Sequence, residues 1–463
     1  MSPTSLTRRR LDRSASAALL VSSTLAALAP ACTRITGMPP DAEVPVSRGG
    51  LAAEPDLRWR YRWGESTTAT SAMLGSDGHV FVSAGAAVGT FRDLALTRFT
   101  AAGAEAFTPG AGDDGFTRAV ARYEGARLQS VPRAMARDRA GRWITAGNGL
   151  LPGRRYGLVA RWLPDGSLDT SFGASGVAVV PSPGGDRDVI LRGVLVEDDG
   201  AVVVVGADTI PLLPAAAGVY ARVDAQGSLD AAFAGGVAVD PRVAGFDAVV
   251  HDADGYALLG ESITDGSPLA LYLGPDGRPR ADVGDAGLVA FPSSAATRMV
   301  VRAAVRSPDG GIIVAGGSGP HVVTGLDAGV PSGVGVVPIQ LVRFTARREP
   351  DLTWGTQGVS RDFSSSTTWN LEMTLNGGLL PFTDESVLVL GEVVGDTPGY
   401  RVYRVLRDGR PDPDFGVGGF VGELVPDLQY PFDLRDDGAG GAWVFYRAAS
   451  ERELGAAHFP RAR

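Results

Sequence analysis

The sequence contains no lysine, one cysteine and four histidines. Without lysine there is no Schiff-base amine, no P-loop ammonium and no lysine general base. One cysteine, Cys32, cannot form an intramolecular disulfide, so stability must come from packing. The histidines, at 79, 251, 321 and 458, show no His-x-x-x-His or His-Glu-x-x-His spacing, and an ordinary zinc site needs three or four converging ligands. No metal and no cofactor is expected. No Gly-x-Ser-x-Gly elbow is present, so a hydrolase of that type is excluded. Helical periodicity is also missing beyond the N-terminal region.

What is present is arginine, acid and turn residues. All 43 basic side chains are arginine, against 52 Asp and Glu, for a net charge of -9. Such an acidic chain lacks the positive surface that phosphate backbones require, which excludes nucleic acid as a partner. Gly at 63 and Pro at 31, spread along the chain, imply many turns and hence many short strands.

Residues 1–31 read as an export signal. Arg8, Arg9, Arg10 and Arg13 form a basic head, and the uncharged stretch Ser14 to Ala31 is too short and polar to span a membrane comfortably. Thr7-Arg8-Arg9-Arg10-Leu11 loosely resembles a twin-arginine signal, while plain Sec signals are basic as well. Leu28-Ala29-Pro30-Ala31-Cys32 resembles a lipobox, with Pro30 and Thr33 departing from the usual pattern. That resemblance implies lipidation at Cys32, attachment to a membrane by the lipid, and a location on the periplasmic or outer surface. Residues 32–53 hold Pro39-Pro40, Pro45 and Gly49-Gly50 and read as a flexible tether.

Residues 54–463 are built from a repeat. Val159-Ala160-Arg161-Trp162 is followed by Asp165-Gly166-Ser167-Leu168-Asp169 and then by Phe172-Gly173. The same order returns at Arg222, Asp230 and Phe233, at Arg343, Asp351 and Trp354, and at Arg404, Asp412 and Phe415. Arg98 opens a weaker copy, and the copy near Tyr272 loses its Arg. A second motif alternates with the first: a turn, a β-branched run, then Gly, with turn glycines at 78, 141, 200, 255, 310 and 438 and Glu385 in the remaining unit. These seven turns lie mostly 53 to 63 residues apart.

Asp-Gly between apolar runs marks a tight hairpin, because both residues tolerate positive φ. Each unit then reads as four antiparallel strands. For the third these are Gly193–Glu197, Ala201–Val205, Val219–Val223 and Val237–Val239. Seven such units predict an all-β, seven-bladed β-propeller. A β-solenoid normally has shorter repeats. The last unit runs out at Arg463 before its fourth strand. Glu54-Pro55-Asp56-Leu57-Arg58-Trp59 matches Glu349-Pro350-Asp351-Leu352-Thr353-Trp354 at five of six places. Residues 56 to about 63 should therefore complete the last blade.

The two motifs, best developed at 161–173 and 309–316, resemble the delta-60 repeat of bacterial exported proteins. The resemblance covers residues 54–463 and implies a propeller-type fold without implying an activity.

Among candidate sites, the recurrent Arg98, Arg161, Arg222, Arg343 and Arg404 could form a guanidinium ring for an anion. Pairing with the repeat aspartates Asp169, Asp230, Asp351 and Asp412 is the structural reading, since a residue repeated in every blade serves the blade. His458 falls at the same recurrent position. Arg137, His251 and Arg306 share one register on the first strands and are candidates for ligand binding, although Val196 and Leu434 hold that register elsewhere. Asp252 and Asp254 are weak calcium candidates, short of a full loop. Gly317–Pro338 and Ser364–Trp369 are candidate partner contacts. No catalytic set is evident. The expectation is a monomeric, non-enzymatic envelope module binding a protein or glycan; the alternative is a propeller lyase or hydrolase working at the channel mouth.

Overall fold

The computed structural model describes residues 51–52, 54–63, 67–106, 110–185, 187–209, 216–294, 298–318, 337–361, 367–369, 378–393, 398–448 and 453–461. Cys32, His321, most of Gly317–Pro338 and Ser364–Ser366 lie outside them. All regular elements among the described residues are β-strands.

Seven antiparallel blades follow one another along the chain. Blade 1 is Thr67–Leu74, Val80–Val88, Phe91–Phe99 and Thr117–Ala119. Blade 2 is Gln129–Arg137, Trp143–Leu151, Arg154–Trp162 and Val177–Val180. Blade 3 is Asp188–Val196, Val202–Thr209, Ala216–Val223 and Val237–Asp240, longer at several ends than the sequence suggests. Blade 4 is Val243–Asp252, Gly255–Ser262, Pro268–Leu273 and Leu288–Ala290. Blade 5 is Met299–Arg306, Ile312–Ser318, Val337–Phe344 and Val359–Ser360. Blade 6 is Leu379–Pro381, Val387–Val393, Gly399–Val405 and Phe420–Leu424. The short strand Thr367–Trp369 bridges blades 5 and 6. Blade 7 takes Leu428–Asp436, Ala442–Ala448 and Glu453–Phe459 from the C-terminal end and Leu57–Arg62 from the N-terminal end.

That last pairing closes the ring. Leu57 stands opposite His458 and Arg62 opposite Glu453 in an antiparallel ladder. The first strands touch one another consecutively around the circle, including blade 7 against blade 1, so they surround the axis. The core has the same order. It consists of seven apolar clusters, one at each seam between blades. The seam of blades 7 and 1 holds Trp59, Trp63, Phe99 and Phe445. The disc also starts earlier than the boundary at 54: Leu51 is buried at the seam of blades 6 and 7 and bridges to Arg461. A lone Leu among small and polar residues carries no periodicity by which to place it.

The turn glycines behave largely as expected, with φ of 85° at Gly200 and 87° at Gly310. Gly255 differs. It sits at the start of a strand, and a Cβ there would lie 2.0 Å from the Leu273 carbonyl oxygen, so close approach excludes any side chain.

A feature hidden from the sequence organises the interior. Every fully described first strand carries a β-bulge near its middle, at Thr70, Arg133, Arg192, Asp247, Arg302 and Phe432. A bulge bends the strand and leaves a ladder group unpaired. The bend explains the glycine that ends the second motif: a Cβ on Gly206 would stand 2.0 Å from the Ile190 carbonyl oxygen. Polar side chains of the preceding blade satisfy several of the displaced backbone groups. Asn148 Oδ1 accepts from the Leu191 amide at 2.9 Å, Glu261 Oε1 from the Val301 amide at 2.5 Å, and Arg447 Nε donates to the Ala69 carbonyl at 2.7 Å. Each of these backbone groups immediately precedes a bulge residue.

Candidate functional site

The recurrent arginines are engaged within the blades. Arg161 Nε donates to Asp169 Oδ2 at 2.8 Å, and its guanidinium lies over the Phe172 ring at 4.5 Å. Arg222 joins Asp230 at 3.0 Å, Asp199 at 2.9 Å and, through Nε, Glu197 at 2.6 Å. Arg343 spans Asp309 and Asp351, and Arg404 Nε donates to Asp412 Oδ2 at 2.7 Å. Arg98, whose copy of the motif has no Asp, donates instead to the Ala106 carbonyl at 3.1 Å. Each repeat aspartate also accepts from a backbone amide two residues on, as Asp169 does from Ser171 at 3.1 Å. These arginines thus brace the turn that delivers the motif aromatic to the next blade.

Blade 4 solves the same problem with different charges. Tyr272 replaces the Arg, and Arg280 takes the place of the Asp. Arg348 reaches back from blade 5 over the Tyr272 ring and donates to Asp252 at 2.7 Å and Asp254 at 2.5 Å. Arg280 pairs with Asp254 as well. The calcium candidates are therefore neutralised by two guanidinium groups. Among the described residues no three His, Cys, Asp or Glu side chains converge as a metal site would require.

Arg137, His251 and Arg306 do not converge as one site. Each reaches the blade before its own: Arg137 donates to Ser76 Oγ at 2.9 Å, His251 hydrogen-bonds the Val196 backbone, and Arg306 donates to the His251 carbonyl at 2.7 Å. Only His251 and Arg306 are neighbours. Burial pushes the His251 imidazole below its ordinary pKa, which holds it neutral at pH 7. Next to it on the second strand, Tyr256 donates to Glu197. Burial pushes the Glu197 carboxyl up, although Arg222 pulls it back. A raised carboxyl near a lowered imidazole is a pattern seen in acid–base pairs. Here, however, Arg222 and Tyr256 occupy both Glu197 oxygens, which leaves the carboxylate a brace of the seam.

An inner charge cluster lies at the bulges of blades 3 to 5. Asp247 is fully buried and accepts from Arg192 Nη1 at 3.2 Å and from Arg302 Nη1 at 3.1 Å. One carboxylate thus ties three consecutive blades. The arginine side chains keep 12% and 13% of their surface exposed, so the guanidinium groups retain a path to solvent. Arg133 stands at the same bulge position in blade 2. Behind them Glu261 is fully buried, with Oε2 unpartnered among the described residues. Burial, reinforced by the Asp247 charge, pushes its carboxyl up to about 8. With Glu261 neutral, Asp247 carries the negative charge that Arg192 and Arg302 share. Sequence reading missed this cluster because a bulge shifts register by one residue without changing the apolar alternation that marks a strand.

The fold is a closed β-propeller braced by ion pairs within its blades and, at Asp247, between them. No family model matches the chain, and no curated protein matches it as a relative. Similar solved structures include a protein of unknown function from Dyadobacter fermentans at 9% identity, covering 88% of this chain and 99% of that one with a TM-score of 0.41. An α-L-arabinofuranosidase from Fusarium graminearum shares 9% identity, with coverage of 90% and 98% and a TM-score of 0.40. A gluconolactonase from Xanthomonas campestris shares 14% identity, with coverage of 92% and 99% and a TM-score of 0.36. Likenesses this distant assign no activity.

Proposed function

We propose that the protein is a non-enzymatic binding module of the cell envelope, exported by residues 1–31 and anchored through a lipid on Cys32. Its ligand is an anionic small molecule or glycan, received by the arginines on the inner strands. The observation that carries this reading is the Arg192–Asp247–Arg302 bridge. It sets cations of separate blades beside the axis of a chain whose net charge is -9. Guanidinium groups fixed by a buried carboxylate are preorganised to meet a carboxylate or phosphate. The acids and imidazoles elsewhere among the described residues favour binding over chemistry, because those discussed above are held by neighbouring blades and do not converge on one open site.

Two experiments test it. Incubation with acidic glycans and lactones, followed by product analysis, should return every compound intact; turnover abolished by Glu197→Gln or His251→Gln would replace this reading with the hydrolase or lyase one. Cys32→Ser should leave the precursor unprocessed or release the protein from membranes. Unchanged size and fractionation would remove the lipid anchor from the account.

A further inference from the structure

The recurrent cation of the repeat is a permanent charge in five blades and a titratable one in blade 7. Arg98, Arg161, Arg222, Arg343 and Arg404 hold the position elsewhere, blade 4 has Tyr272, and blade 7 has His458. The local geometry is otherwise that of the repeat. The Asp56 amide donates to the His458 carbonyl at 3.0 Å, as the Asp169 amide does to Arg161 at 3.0 Å. His458 Nδ1 meets Asp56 Oδ1 at 2.7 Å, and Nε2 meets Asp437 Oδ2 at 2.9 Å. Asp56 thus plays the repeat aspartate and Asp437 the turn aspartate, as Asp351 and Asp309 do for Arg343. The difference is covalent continuity: Asp56 leads into the N-terminal strand, whereas Asp351 follows Arg343 directly in its own repeat.

A neutral imidazole carries one N–H, and both of its partners here are carboxylates that only accept. Imidazolium alone satisfies both. We propose that His458 is a protonation-dependent clamp on ring closure, holding the N-terminal strand to the last blade when charged and releasing one carboxylate when neutral.

The groups facing the ring are Asp56 from the N-terminal lead-in, Asp437 from the turn, and Trp443 from the second strand at 4.9 Å between ring centres. Asp436 lies one residue from Asp437 and is itself raised to about 6 by burial. Burial opposes the His458 charge, but the two aspartates outweigh it, so the imidazole titrates above its ordinary value. When the strand opens, Asp56 leaves the ring while Asp437 stays beside it, so that value falls by the part that Asp56 supplies. Closure is therefore strongest below the open-state value and weakens as pH rises through the higher closed-state value.

Hydrogen exchange of the Leu57–Arg62 amides in the mature protein, corrected for intrinsic rate, tests the clamp between pH 5 and 9. Protection should fall with rising pH, by about tenfold for each unit that closure adds to the His458 pKa. The Val177–Val180 strand of blade 2 is the control and should not follow. His458→Arg should keep protection high and flat across the range, and His458→Gln should keep it low and flat. Asp436 and Glu261 titrate in all three proteins, so the difference between wild type and His458→Arg isolates the clamp. A wild-type profile that is flat, or that matches His458→Arg in slope, overturns the proposal.

Discussion

Trp59 occupies the space that a side chain on Gly103 would need: a Cβ there would lie 2.4 Å from the indole Cγ. Trp59 comes from the N-terminal strand of blade 7 and Gly103 from the third-to-fourth strand turn of blade 1. Phe233 stands in the same relation to Gly277, and Trp354 to Gly409, across internal seams. The ring is thus closed by the aromatic-on-glycine contact that also joins its internal blades.

Substitution on either side of this contact should be costly. Trp59→Ala removes a largely buried indole and should destabilise by about 3 kcal/mol or more. Gly103→Val combines the clash with a φ of 80° and should cost at least about 1–3 kcal/mol. Thermal or urea unfolding of both variants checks this. An exposed turn such as Gly438, with nothing near its Cβ, should answer to the backbone term alone.

Deleting residues 51–63 should destabilise the whole disc. The segment supplies the fourth strand of blade 7, the Leu51 side chain, and the Arg60–Asp427 pair at 2.9 Å to the loop after blade 6. Loss of one cooperative transition by calorimetry is the expected result. A truncated protein with wild-type Tm would mean that closure contributes nothing.

Buried and exposed ion pairs should separate cleanly. Arg161→Gln strands Asp169, whose side chain is 9% exposed, and should cost about 3 kcal/mol. Arg410→Gln removes a partner of Asp408 on the open surface and should leave Tm unchanged. Comparing the two by chemical denaturation tells whether the repeat arginines serve stability.

Glu261 should make stability fall with rising pH. Its folded pKa of about 8 lies above the ordinary value of 4.5, so the fold favours the protonated form. Its stabilising contribution is complete below about 4.5 and is lost as pH rises through about 8, by no more than about 1.4 kcal/mol per pH unit. Glu261→Gln keeps an acceptor for the Val301 amide and should flatten that part of the curve. Parallel urea titrations at pH 5, 6.5 and 8 measure the difference.

The sequence made the turns and the repeat plain, because Asp-Gly and the Arg-to-Asp spacing are local signals that each blade repeats. Ring closure was legible for the same reason: Asp56-Leu57-Arg58-Trp59 is a displaced copy of Asp351-Leu352-Thr353-Trp354. The interior cluster was not. Arg133, Arg192, Asp247 and Arg302 share their position with Thr70 and Phe432 in other blades, so no one residue type marks it, and the common register depends on a bulge that alternation does not register. Arg348 was equally hidden, since its place beside Asp252 and Asp254 depends on losses at Tyr272 and Arg280 in a different blade.

Isothermal titration with galacturonate and with galactose, which differ by a carboxylate at the same carbon, tests the functional account most directly. The mature protein should bind galacturonate at least about tenfold more tightly at low salt, and added chloride should weaken that preference. Arg302→Gln should remove it, as should Arg133→Gln, which leaves both bonds to Asp247 in place. Equal affinity for the two sugars, or a preference that survives both substitutions, would contradict an anion site on the inner strands.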